Sequence, residues 1–454
     1  MESRRCRCRG GRQPNHQPLI PANADLHFDR MPPLWVPLRA FLIAPFLGLG
    51  GGLLLASAGD AAFSSRWTAS LLASAHLITL GFITLVMIGA VIQVLPVVTG
   101  VPVPASNWVA PASQFGVALG VIAMAWGLNG GLPIAGRVGA VLLAAGLSVF
   151  VPAALIAAWK TRHNPTGRAM GLSILSLIAV AGLGVFLLAG HAGWVPLRRD
   201  LTDIHAAWAL GGWVGLLVMG VSFQVVPLFQ VTPSYPRVVE KYLPAVGFLA
   251  LLAWTAGRLG RWALVANIGI VSLALSLGTY AAVTLWLQTQ RRRKLRDITT
   301  DAWRLGMGCL GLVGLATIAA TFGALNLLEP RTSLTFGILL VVGFAVSVVQ
   351  GMLYKIVPFL SWLHLQNVAT HRGVVGQVKV KNMRQLLPVK GPRRQFASHL
   401  VAIGALLIAA WFGGFWVRIA GLAVAVDFGL LGIEVVGVVR RYREDEARIL
   451  SAPR

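Results

Sequence analysis

Ionisable side chains inside long apolar runs are costly to bury, so they mark candidate sites. His76, in ASAHLITLGF, is the histidine set deepest in such a run. His191 and His205 flank a short polar stretch between two other runs. Imidazole ligates both iron and copper, so His76 with His205 or His191 could hold haem b or copper. The plainer alternatives are a neutral His76 bonded to a neighbouring helix, and solvated His191 and His205 at an interface. Asp427 and Glu434 lie seven residues apart in one apolar run. On a helix they share a face. An unpaired carboxylate there must be protonated or partnered, and Lys355 is a candidate partner for Glu434. These three, with Gln93 and Gln224, are candidates for a proton path or an intramembrane charge. The alternative is a buried pair that fixes helix packing. His364, His371 and His399 border charged sequence and read as surface histidines. Cys6 and Cys8, among Arg4, Arg5, Arg7 and Arg9, could bind a soft metal, but read more simply as part of a solvated basic tail. No residue is assigned a catalytic role. The chain has no phosphate-binding Gly loop, Ser-His-Asp set, zinc spacing or C-x-x-C-H haem attachment.

The elements that must position these residues are membrane helices. Of 454 residues, 56% are hydrophobic and 12% charged, against about 25% charged in soluble chains. The mean hydropathy is +0.73. These values exclude a soluble enzyme, a disordered protein and a disulfide scaffold. A spanning helix needs about 20 apolar residues. Twelve runs qualify: 35–58, 67–97, 108–128, 136–160, 168–190, 202–231, 240–259, 262–288, 302–327, 332–361, 396–413 and 416–441. None alternates with the period of two that a strand requires. The expected organisation is a disordered basic tail over 1–33, a twelve-helix membrane domain over 34–441, and a second basic tail over 442–454. Trp35, Trp67, Trp108, Trp194, Trp262 and Trp362 fall near the ends of runs, as interfacial anchors do. In the loop 362–395, Met383, Leu386 and Leu387 among basic residues suggest a short helix on the membrane surface.

Charge orients these helices. The net charge is +24. With both termini on one side, Arg66, Arg137, Arg198, Arg199, Arg258, Arg261, Arg331 and Arg418 fall on the other. Arg39 and Lys355 lie within helices, and the remaining 29 of the 39 basic residues lie with the termini. The positive-inside rule then predicts both termini in the cytoplasm. The lipid bilayer itself is the expected partner of this charge. The basic runs abut helix ends, so no nucleic-acid partner is expected. The tail before Leu34 lacks the apolar core of a secretory signal.

An internal repeat organises the runs. GFITLVMIGAVIQVLP begins at Gly81, GWVGLLVMGVSFQVVP at Gly212 and GFAVSVVQGMLYKIVP at Gly343. Each reads G-x7-G-x3-[Q/K]-x2-P, and the step from the first copy to the second equals the step from the second to the third. Such repeats decide a fold before local features do. Twelve helices divide into three four-helix units, approximately 34–165, 166–296 and 297–441. An even number of helices per unit makes the copies parallel, unlike the inverted repeats of many transporters. Small glycines let helices approach closely in lipid, and the proline kinks or ends its helix. Gln93, Gln224 and Lys355 share one register position before that proline. There they can bond a freed carbonyl, snorkel to headgroups, or line a polar vestibule for protons or anions.

This all-α architecture, with twelve transmembrane helices in three parallel four-helix arcs, resembles subunit I of the haem–copper oxidases. The stretch from Ala75 to Phe82 is similar to the A-H-x4-G-F segment of the oxidase-related NnrS-like family, which is linked to nitric-oxide stress. YKIVPFLSWLHLQ and NMRQLLP are similar to runs in oxidase-subunit-I-like bacterial proteins. The resemblance implies that His76, in the second helix, is a haem ligand and that His205, in the sixth, corresponds more loosely to a copper ligand. Oxidases also carry a His-His pair in helix 7 and two histidines in the outer half of helix 10; the matching stretches here carry none. The expectation is therefore a haem- or copper-binding relative acting in redox, nitric-oxide response or respiratory metal handling, with a respiratory membrane partner. Complete oxygen reduction is not expected. A proton-coupled or small-solute permease using Asp427, Glu434 and Lys355 is the alternative from another class. A cofactor-free assembly partner is a third.

Overall fold

A computed structural model describes residues 27, 30–130, 133–292 and 295–453. The tail cysteines Cys6 and Cys8 lie outside this set. Among the described residues there is no strand, and twelve helices are long and apolar enough to cross a membrane. They are α1 (Trp35–Ser64), α2 (Ala69–Thr99), α3 (Ser106–Gly130), α4 (Pro133–Lys160), α5 (Pro165–His191) and α6 (Arg199–Gln230). The others are α7 (Arg237–Leu259), α8 (Ala263–Thr289), α9 (Ile298–Thr321), α10 (Pro330–Arg372), α11 (Lys390–Phe412) and α12 (Phe415–Ser451). Twelve crossings return the chain to the face on which it started, here called the terminal face.

Three helices are central. In α2, α6 and α10 the most apolar stretch is 78%, 78% and 67% buried, more than in any other helix among the described residues. The outer helices pack in sequence around them: α3 on α4, α4 on α5, α7 on α8, α8 on α9, α11 on α12, and α12 back on α1. Trp108, Trp194 and Trp262 are exposed at helix ends, where indole rings suit the headgroup layer.

Each central helix widens from α to π geometry at one level, over Leu77–Thr84, Trp208–Leu216 and Leu339–Val346. Every one of these stretches begins four residues before the first glycine of its repeat copy. The glycines are needed for close approach. A Cβ at Gly81, Gly212 or Gly343 would lie 2.8, 2.7 or 2.7 Å from Leu47 of α1, Ser176 of α5 or Cys309 of α9. The second glycines, Gly89, Gly220 and Gly351, seat on Ala40, Ala169 and Ala302 of the same three helices. Sequence register and packing register therefore coincide. The repeat prolines Pro96, Pro227 and Pro358 all lie inside helix. α2 and α6 end within one turn after theirs, whereas α10 continues to Arg372.

α10 and α12, of 43 and 37 residues, are longer than a bilayer needs. Their extensions are joined beyond the apolar stretch. Arg372 donates to the Leu450 carbonyl at 2.9 Å, and Tyr442 and His364 are bonded at 3.1 Å. Lys381 binds Asp445 at 2.9 Å. The expected surface helix is a single turn, Met383–Leu386, closed by an Asn382–Gln385 capping box. Of its apolar side chains Leu386 is fully buried and Met383 half-buried, and the Leu386 carbonyl accepts from Arg441.

Candidate functional site

The π segments place the first candidate pair. His76 immediately precedes the π stretch of α2, and His205 lies three residues before that of α6. The two helices are joined where Trp213 Nε1–H donates to Thr84 Oγ1 at 3.2 Å. At the face opposite the termini, Arg66 beside the start of α2 binds Asp203 of α6 at 2.7 Å. The result is that two imidazoles from different repeat units have ring centroids 6.3 Å apart and planes inclined by 31°.

The two rings are held differently. His76 Nδ1 lies 2.7 Å from the Leu72 carbonyl. A carbonyl only accepts, so Nδ1 carries the hydrogen, and in the neutral ring Nε2 keeps its lone pair. Such a bond fixes the tautomer that a ligating histidine needs. His205 Nδ1 is buried and has no hydrogen-bond partner. Beside it is Gly184 of α5, where a Cβ would come within 3.1 Å of Cε1 and 3.6 Å of Nδ1. The absent side chain thus lets the His205 ring pack closely against α5.

The ring separation of 6.3 Å is the one observation that bears on a group taking two imidazoles. With metal–nitrogen bonds of about 2.0–2.1 Å and ring atoms about 1.1 Å from the ring centre, rings flanking one ion have centroids roughly 6 Å apart. Among the described residues, no cluster of three or more His, Cys, Asp or Glu could hold an ion. Haem supplies four nitrogens of its own and needs only axial ligands from protein. His191, at the end of α5, is exposed.

A second polar cluster lies in the third unit, and sequence reasoning found only one of its members. Asp427 of α12 is 1% exposed, yet it accepts three hydrogen bonds. Gln350 Nε2 reaches Oδ2 at 3.0 Å, Gln395 Nε2 reaches Oδ1 at 2.6 Å, and His399 Nδ1 lies 2.8 Å from Oδ2. Gln395 Nε2 also donates to Gln350 Oε1 at 2.8 Å, and Tyr354 O–H donates to Gln395 Oε1 at 2.9 Å. His399 Nε2 lies 2.8 Å from Ser347 Oγ.

Two expectations are corrected here. His399 is not a surface residue but fully buried. The cause is the start of α11, at Lys390 rather than 396. Pro392 lies in the first turn, where a missing N–H costs little, and Arg393 and Arg394 are carried within the helix. Lys355 does not pair with Glu434. It binds Asp297 at the start of α9 at 2.6 Å, while Glu434 lies 3.8 Å from Arg394. Gln93, which is buried, and His364 and His371 line a cavity of about 450 Å³ at the terminal face. Gln224 is half-buried.

No family model matches this chain, and no curated protein is significantly similar to it.

Proposed function

We propose that this chain is a divergent relative of haem–copper oxidase subunit I that holds haem b, or copper as second choice, through His76 and His205. The observation that carries this reading is the meeting of those two rings at 6.3 Å from separate central helices. Three parallel four-helix units explain why a π segment recurs at the same register in every copy and why both sets of repeat glycines seat on α1, α5 and α9. The proposed setting is the bacterial inner membrane with both termini cytoplasmic, as the basic residues on the terminal face favour.

Within the site the chain's own work is positional. The Leu72 carbonyl orients His76 so that Nε2 faces outward from its hydrogen bond as a lone-pair donor. The Arg66–Asp203 ion pair and the Trp213–Thr84 bond keep α2 and α6 in register. Gly184 lets the His205 ring pack against α5. Haem held by His76 and His205 would supply one-electron iron chemistry. The role is redox, nitric-oxide response or respiratory metal handling alongside a membrane redox partner. Complete oxygen reduction stays outside the proposal, because the oxidase histidines of helix 7 and of the outer half of helix 10 have no counterpart in α7 or in the matching half of α10.

The test is the optical spectrum and metal content of the full-length chain, purified in detergent from haem-replete cells. A Soret band or stoichiometric copper is expected, lost in His76→Ala and reduced in Gly184→Val, which crowds His205. Colourless, metal-free wild-type protein overturns the reading.

A further inference from the structure

The buried cluster of the third unit has a property that packing alone does not require. We propose that His399, Asp427 and Ser347 form a binding site for one proton inside the membrane domain. It is built from residues separate from His76 and His205 and does not rest on their ligating anything.

The hydrogens of the cluster can be counted from its donors and acceptors. Gln350 and Gln395 both donate N–H groups to Asp427, and its third contact is His399 Nδ1, so Asp427 is placed here as a carboxylate. His399 Nδ1 must then carry a hydrogen. The other ring nitrogen faces Ser347 Oγ at 2.8 Å, and the same hydroxyl lies 3.3 Å from the Val342 carbonyl. Two arrangements satisfy these positions. In one, Ser347 donates to Val342 and accepts from His399 Nε2–H, so the histidine is an imidazolium and the His–Asp couple is neutral. In the other, Ser347 turns and donates to Nε2, the histidine is neutral, and the couple carries one negative charge. The states differ by one proton on Nε2 and one rotation about a serine C–O bond. No bond between heavy atoms is made or broken.

Both states are supported in low dielectric. In the protonated couple the two charges face each other at 2.8 Å, and Gln350, Gln395 and Ser347 bond the remaining polar atoms, the geometry that offsets the desolvation of a buried pair. The deprotonated one keeps three N–H donors on its carboxylate, and charge-assisted bonds of this kind are strong. Val342 lies inside the π segment of α10, and Ser347 directly follows it. π turns recur at functional sites.

The site is closer to water on the terminal side. Glu434, 13% exposed, lies seven residues from Asp427 on α12, about 10 Å along the axis. Its carboxylate lies against Gly391, whose added Cβ would collide with it. Tyr354 is in electrostatic range of both Asp427 and Glu434. Of the other titratable groups on the packed helices, Arg394 is near Glu434, Lys355 is bound to Asp297, Cys309 lies behind Gly343, and Arg39 of α1 stacks on Trp35. None of these four is bonded to the His–Asp couple.

The experiment uses the full chain in lipid nanodiscs with ring-¹⁵N-labelled histidine, titrated over roughly pH 5–9, the range histidine samples in proteins. His399 signals are identified by their loss in His399→Gln. Should that variant not fold, their displacement in Ser347→Ala identifies them instead. The expected result is that Nε2 passes between protonated and unprotonated signatures while Nδ1 stays protonated, with the midpoint moved in Ser347→Ala. A His399 that keeps one signature throughout, in folded protein, overturns the proposal and leaves a static pair.

Discussion

Replacing Asp427 alone should destabilise the third unit far more than replacing it together with His399. Asp427→Leu removes the acceptor for Gln350, Gln395 and His399, all buried. Hydrogen bonds between membrane helices average about 0.6 kcal/mol and reach about 1.7 kcal/mol. Three of them give about 2–5 kcal/mol. Removing one partner of a buried ion pair costs about 3–5 kcal/mol by a separate route. The two estimates overlap, so about 3–5 kcal/mol is expected. His399→Leu should cost less, because Asp427 keeps both glutamine donors. In the double variant no imidazole is left without its carboxylate and two apolar side chains fill the volume, so that only the Gln350 and Gln395 donors have lost their acceptor. Replacing both members of such a pair is often neutral or better. The predicted coupling is thus favourable by about 2 kcal/mol or more, well outside the additivity expected of independent sites. Thermal unfolding of the four proteins in one detergent, followed by loss of monodispersity, measures it. Additive effects, or a near-neutral Asp427→Leu, would show that the cluster does not hold α10, α11 and α12 together.

Two further outcomes rest on backbone and capping geometry. Val231 adopts φ 56° and ψ 47° at the end of α6, where the first repeat copy places Gly100 at φ 71°. Left-handed geometry costs an L-residue about 1–2 kcal/mol, and glycine loses about 0.5–1 kcal/mol through chain entropy. Val231→Gly should raise stability by roughly 0.5–1 kcal/mol, and a lower unfolding temperature would refute the strain. Glu329 caps α10 by accepting from Thr332 N–H and O–H, which holds its carboxyl below the ordinary value. A depressed folded pKa means the stabilisation is complete above the unfolded value and is lost as pH falls through the folded one. Glu329→Gln should therefore flatten the acid side of the stability–pH profile, read by unfolding midpoints at descending pH, and an unchanged slope would count against the cap.

The helices were legible because spanning a bilayer demands length and apolarity at once, and both are local properties. Asp427 was legible for the converse reason, since a lone carboxylate in a lipid-length run stands out. Its partners were not. Gln350, Gln395 and Ser347 are neutral, so they disturb hydropathy little, and only assembly of three helices brings them together. His399 was hidden by the run from Lys390 to Arg394, whose charges set the apparent helix start six residues late. The Lys355 pairing failed differently: Asp297 lies in a loop, where no periodicity points to a partner. The π segments announce themselves only indirectly, through glycines whose spacing was visible while their geometry was not.

The joined extensions of α10 and α12 bear on how the chain enters its membrane. At about 1.5 Å per residue, the 37 residues of α12 reach about 55 Å, against a hydrocarbon layer of roughly 30 Å. The surplus is a folded, highly charged outcrop on one face only, tied together by Lys381, Asp445, Tyr442 and Arg372. Such a knot can form only after α10 has been threaded and α12 synthesised, and it then cannot be drawn through lipid.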